Sequence, residues 1–99
     1  MKLPEQFKIA NQVYKVKLLD SLDTRDFGEF DSINAEIRIA KKVRSPYDDE
    51  YYELTDEQIA NSFWHEVFHC FNWHWNTECD ESLAQSFANF MREYESTKE

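Results

Sequence analysis

The run His65-Glu66-Val67-Phe68-His69 sets two imidazoles four residues apart with a carboxylate between them. On an α-helix, positions i and i+4 lie about 40° apart and one turn along, so both rings can reach one cation from the same side. Glu66 falls about 100° round from His65, close enough to touch a water on that cation without ligating it. With three His and twelve Glu in 99 residues, chance yields this pattern roughly 0.007 times per chain. The competing reading, two surface histidines that happen to flank a glutamate, is the weaker one on a helix with its own cap.

Two imidazoles do not complete a zinc site, which takes a third protein ligand and keeps water in the fourth position. Glu81 lies twelve residues after His69, far enough for a turn and an antiparallel return. It stands in line with Ala84 and Ala88, whose small side chains let two helices approach closely. Asp80 and Glu78 compete with it, and Cys79 offers a thiolate alternative. Glu81 can also be an ordinary first-turn glutamate facing the helix dipole. His74 reads as a polar residue near a helix C-terminus, where a protonated ring is favourable, rather than as a ligand. Cys70 reads as a buried thiol.

The elements that must carry these residues follow from periodicity. Thr55-Asp56-Glu57-Gln58 matches a capping box, with Thr55 as N-cap and Gln58 at the third helical position. Ile59, Ala60, Phe63, Trp64, Val67, Cys70 and Phe71 then form an apolar helical stripe, off which His65 and His69 both fall. That helix is expected to stop between Trp73 and Asn76. A second starts between Thr77 and Asp80, with Leu83, Ala84, Phe87, Ala88, Met91 and Tyr94 as its stripe, and residues 95–99 are expected to fray. Trp64, Trp73 and Trp75 read as core and helix-end packing.

The first half reads as strands: Phe7 to Ile9, a polar break at Ala10-Asn11-Gln12, and Val13 to Leu19 with Tyr14, Val16 and Leu18 alternating against Lys15 and Lys17. Asp20 to Asp26 is loop by composition. Phe27 to Phe30 is a short strand, Asp31 to Asn34 a turn, and Ala35, Ile37 and Ile39 the apolar side of a further strand. Lys41 to Glu53 reads as a polar connection, with Asp48-Asp49-Glu50 a solvated loop. The expected fold is α+β: a small antiparallel sheet of three or four strands followed by two packed helices, one domain over residues 1–99.

Composition narrows the function classes. Apolar residues make up 41% and aromatics 16% of the chain, too much for a disordered segment. No apolar run approaches the length of a membrane span, and Met1 to Glu5 has no signal-peptide core. Two cysteines are too few for a disulfide scaffold, and with no export signal they point to a reducing cytoplasm. The net charge of −9 argues against nucleic acid as a partner. It is lopsided: residues 1–44 hold nine Lys/Arg against seven Asp/Glu, a balance of +2, and residues 45–99 hold two against thirteen, a balance of −11. The acidic half favours cations or basic partners.

Glu81-Ser82-Leu83-Ala84-Gln85-Ser86-Phe87-Ala88 reads ExxAxxFA. Coming after HExxH, it resembles the gluzincin-type zinc metallopeptidases of the ImmA/IrrE kind, and more closely their small phage-encoded versions. The resemblance is specific over residues 59–91 and loose over the strands. It implies a minimal zincin-like fold with zinc held by His65, His69 and Glu81, and Glu66 as general base. A phage-encoded protein would act in the cytoplasm of a bacterial host. The chain departs from the group in one respect: no His follows His74, and the only downstream Tyr is Tyr94, where catalytic gluzincins usually carry a His or Tyr that steadies the oxyanion. Tyr47, Tyr51 and Tyr52 are the remaining candidates.

The activity expected from these residues is zinc-dependent hydrolysis of a peptide bond, on a peptide or protein substrate. Phe27 to Phe30, if it is an edge strand, can receive that peptide by main-chain hydrogen bonds. Gly28, the only glycine, reads either as a close backbone approach or as a strand bend. A different class of function is an acidic, non-catalytic binding protein, an inhibitor or nucleic-acid mimic, with a structural or vestigial zinc. The HExxH glutamate has no task in that reading.

Overall fold

A computed structural model describes residues 2–22, 26–78 and 80–97. The Cys79 alternative and the middle of the Asp20–Asp26 loop lie outside the described residues. Eight elements follow one another: β1 (Gln6–Ile9), β2 (Gln12–Leu19), β3 (Gly28–Asp31), β4 (Glu36–Ala40), β5 (Lys42–Arg44), β6 (Tyr51–Glu53), α1 (Asp56–Trp75) and α2 (Glu81–Ser96). The class is α+β, as the patterning predicts.

The β1–β2 connection is a two-residue turn in which Ala10 and Asn11 both take positive φ, 49° and 64°. That is the backbone of the hairpin turn whose twist matches its strands. The four-stranded sheet runs β1-β2-β4-β3. Its outer pairs are antiparallel, but β2 and β4 pair in parallel, with Val16 opposite Ile37 and Leu18 opposite Ile39. The sheet is therefore mostly, not wholly, antiparallel. β4 carries Ile37 and Ile39, both fully buried, so it takes a central place. The chain reaches the far edge first as β3 and then turns back to insert β4. Lys41 to Glu53 is also more ordered than a polar connection: β5 and β6 form a separate antiparallel pair.

α1 begins where the capping box places it. The Thr55 side chain accepts from Gln58 N–H and the Gln58 side chain accepts from Thr55 N–H, at 3.1 and 2.8 Å. It ends at Asn76, which adopts the left-handed conformation and donates its N–H to the Asn72 carbonyl, a common helix stop. Phe63 and Cys70 join Tyr14, Ile37 and Ile39 in the core, with Ile59 and Val67 packed against them. α1 lies between layers, against β3 and β4 on one side and α2 on the other.

α2 departs from its expected stripe. Ala84 and Ala88 are fully buried, but Leu83 is 57% exposed and Tyr94 is exposed too. α2 packs chiefly against α1, so it buries a narrow seam in which Ala84 and Ala88 are covered and Phe87 and Met91 are half-buried. Trp64 is packed between Phe63 and Phe87, and Trp75 stacks on Phe71. Trp73 is not core: it is 62% exposed, with its ring edge-on to Phe30. No helix among the described residues is long and apolar enough to cross a membrane.

Candidate metal centre

α1 presents His65 and His69 on one flank, one turn apart, with ring centroids 4.8 Å apart. The ligand atoms of His65, Glu66 and His69 all lie within 4.8 Å of one another, a group that could hold a metal ion. Glu81, the first residue of α2, reaches the same point: Oε2 is 2.9 Å from His65 Nε2 and Oε1 is 3.2 Å from His69 Nε2. One carboxylate thus faces both imidazole nitrogens, although its side chain is 72% exposed and the histidines are mostly buried. Donors held 2.0–2.1 Å from a common tetrahedral centre stand about 3.3 Å apart, so this spacing suits a cation as well as it suits hydrogen bonds in the metal-free protein.

Two local devices deliver Glu81 there. Asp80 caps α2, its carboxylate accepting from the N–H groups of Ser82 and Leu83, and so serves the helix end instead of the site. The buried Ala84 and Ala88 allow α2 to lie close to α1. Asn61 and Gln85 join the helices further along the same flank, with Gln85 Nε2 donating to Asn61 Oδ1 at 2.9 Å.

Glu66 lies beside the two histidines and against β3. A Cβ at position 28 would stand 3.1 Å from Ile39 Cδ1 and 3.2 Å from Glu66 Cγ. The glycine is therefore a close approach, shared by the Ile39 side chain, the Glu66 stem and the Arg38 carbonyl. Burial raises the Glu66 carboxyl to about 7, and the negative charges of Glu81, Asp26 and Glu29 add to the effect. Burial, and to a lesser extent His65, depresses His69 while Glu81 opposes them. The site thus favours a neutral imidazole, the form that ligates metals, beside a carboxylate that exchanges its proton near neutral pH.

Two depressions open on either side of this point. One, about 420 Å³, is lined by Asp26, Phe27, Asn61 and Gln85 beside His65, Glu66, His69 and Glu81. The other, about 530 Å³, is walled by Phe30, Asn72, Trp73 and Thr77 and shares Glu66, His69 and Glu81. Together they make a cleft across the site, alongside β3, which is an edge strand.

Several sequence candidates lie elsewhere. His74 points away, its Nε2 2.6 Å from the hydroxyl of the buried Tyr14. Cys70 is a free, fully buried thiol, pushed up to about 11 by burial. Tyr47, Tyr51 and Tyr52 are exposed on or beside the β5–β6 pair, and neither they nor Tyr94 line the cleft. Sequence reasoning passed over Asn72. It sits seven residues after His65 and three after His69, on the same helix flank, a polar residue between Phe71 and Trp73. That contrast was the available signal.

No protein family, no curated protein and no solved structure matches the chain.

Proposed function

We propose that the chain is a small zinc-dependent peptidase in which His65, His69 and Glu81 hold the metal and Glu66 is the general base. The observation that carries this reading is the Glu81 carboxylate facing both imidazole nitrogens at 2.9 and 3.2 Å, with Glu66 alongside. Two nitrogens and one carboxylate, with room for water, are the donor set of a catalytic rather than a structural zinc. When bound, zinc supplies a Lewis acid that acidifies water and polarises a carbonyl.

The chain's own residues do the rest. Glu66 takes a proton from the attacking water and returns it to the leaving amine nitrogen. A substrate peptide extends β3. Ala40 N–H donates to the Phe27 carbonyl at 2.9 Å, so by antiparallel alternation Gly28 and Phe30 turn their main-chain groups to the free edge. An extended peptide paired there runs past Glu66. The composition, with its free buried Cys70, suits a reducing compartment such as a bacterial cytoplasm.

The test is a pair of measurements on one protein. Zinc content is determined after purification without added metal, and hydrolysis of a denatured protein substrate is followed for wild type and Glu66→Gln. Zinc retained with hydrolysis lost in the variant supports the peptidase. Zinc retained with no hydrolysis in either form leaves a metal-stabilised binding protein instead.

A further inference from the structure

Both helices repeat one spacing of large apolar side chains. On α1 it is Trp64, Phe68, Phe71 and Trp75, and on α2 it is Leu83, Phe87, Phe90 and Tyr94. Steps of four, three and four residues set each group along a single face of its helix. The two faces join. Phe87 meets Trp64 at 6.2 Å and Phe68 at 5.2 Å across the helix pair. Phe71 stacks with both Phe68 and Trp75, and Phe90 stacks with Tyr94. Phe71, Trp75, Leu83, Phe90 and Tyr94 are each 40–60% exposed. By steps of about 100°, Phe90 stands opposite Glu81 on α2 and Phe71 about 120° from His65 on α1, so the surface lies away from the metal centre. No charged residue occupies any of these positions, in a chain of which 31% is charged.

Side chains of this kind bury about 150–250 Å² each when covered, so half-exposed they leave on the order of 600 Å² of apolar surface in one piece. That reaches the upper end of what a monomer usually shows. With a polar rim it approaches the roughly 800 Å² that each partner gives to a stable interface. We propose that this face is the interface of a homodimer, with the α1–α2 pair of a second copy laid against it about a two-fold axis to form a four-helix layer. The charge pattern selects that occupant. A partner recognised by basic charge finds no carboxylate among the side chains of the face, whereas interface cores are aromatic and depleted of charge. The face also suits itself, because ring edges of one copy can meet ring faces of the other and a two-fold axis makes each such contact twice. Both clefts stay open on the outer flanks of such a dimer, and the inference does not depend on the metal reading.

The test is sedimentation equilibrium of the full chain from about 1 to 100 μM, at about 50 and 500 mM sodium chloride. The mass is expected to approach twice 12.0 kDa at the upper concentrations. Association should be tighter at the higher salt, because screening relieves the repulsion between copies of charge −9. Leu83→Glu and Phe90→Glu each put a carboxylate into the face at an exposed position, and should weaken association about 10-fold or more. Leu83→Ser and Phe90→Ser carry the test if a Glu variant loses its helical circular dichroism. Ile33→Glu adds the same charge on a turn of the sheet, where Ile33 is 92% exposed, and should leave association nearly unchanged. A monomer at every concentration and both salts would overturn the proposal, whether or not phosphatidylcholine vesicles or a basic amphipathic peptide then occupies the face. So would a dimer that folded face variants weaken no more than Ile33→Glu does. Association that weakens as salt rises would also overturn it, since that is the mark of an ion-paired contact.

Discussion

Carboxylates gather on the two sides of β3 with opposite consequences. On the outer face of the sheet, Arg38 donates to Glu29, and it reaches Asp31 at 3.0 Å and Glu36 at 3.3 Å. Lys17 adds a contact to Glu36 at 3.0 Å. Hydrogen bonds from Asn34, with Arg38 contributing, hold Asp31 well below the usual carboxylate range, and Lys17 lowers Glu36. In the cleft, Glu66 meets burial and the charges of Glu81, Asp26 and Glu29, and rises to about 7. The outer cluster is compensated by cations of the chain itself and reads as structural. In the cleft Glu81 faces the imidazoles of His65 and His69, the second of which burial tends to keep neutral, an arrangement that an added divalent cation would complete.

The largest expected effect breaks the cleft and spares the outer face. His65→Ala or His69→Ala should take zinc from about one per chain to none by elemental analysis, whereas Arg38→Gln should leave it unchanged. Full zinc in both histidine variants would place the metal elsewhere. Within the cleft, Glu66→Gln should keep the metal and lower peptide hydrolysis about 10²-fold or more. Glu81→Ala should instead weaken metal affinity, so the two glutamates separate by which quantity falls.

On the proposed reading, removing the metal should lower the melting temperature by several degrees, on the order of a few kcal/mol, because a cation held by His65, His69 and Glu81 would tie α2 to α1 across a short connection. An unchanged melting curve after verified removal would show that the core suffices alone.

The pH dependence of the metal-free protein sharpens the contrast. Glu66 has a folded-state pKa raised from 4.5 to about 7. The native state therefore binds more protons than the unfolded state between those values, and stability falls as pH rises through that window. The loss is on the order of 2–3 kcal/mol by pH 7.5, and Glu66→Gln should remove it. Asp31 and Glu36 act with the opposite sign, because their depressed values stabilise the fold above the ordinary carboxylate range and that contribution is lost in acid. His69, depressed by burial, acts with the opposite sign in the same window, so the comparison is with Glu66→Gln, which keeps His69. Metal-free wild type and Glu66→Gln whose unfolding midpoints in denaturant change equally between pH 5 and pH 7.5 would contradict the burial of Glu66.

The smallest effect belongs to the outer face. Arg38→Gln leaves Glu29, Asp31 and Glu36 mutually repelling, so the melting temperature should drop slightly at low salt and recover as salt screens the repulsion. A drop insensitive to salt would mean that Arg38 acts through packing.

What the sequence determined by itself was local. The capping box at Thr55, the stop near Asn76 and the i, i+4 pairing of His65 and His69 depend on neighbours within one or two helical turns, so residue types and spacing were enough. The positions of the main strands were legible for the same reason, since a half-buried strand alternates along its own length. Only the tertiary structure decided the rest. The parallel pairing of β2 with β4 joins segments separated by all of β3, and no local signal distinguishes it from an antiparallel neighbour. Glu81 and not Asp80 faces both rings because Asp80 caps α2, and because α2 lies close to α1 along the Ala84–Ala88 seam. The exposure of Leu83 follows from α2 packing chiefly against one helix.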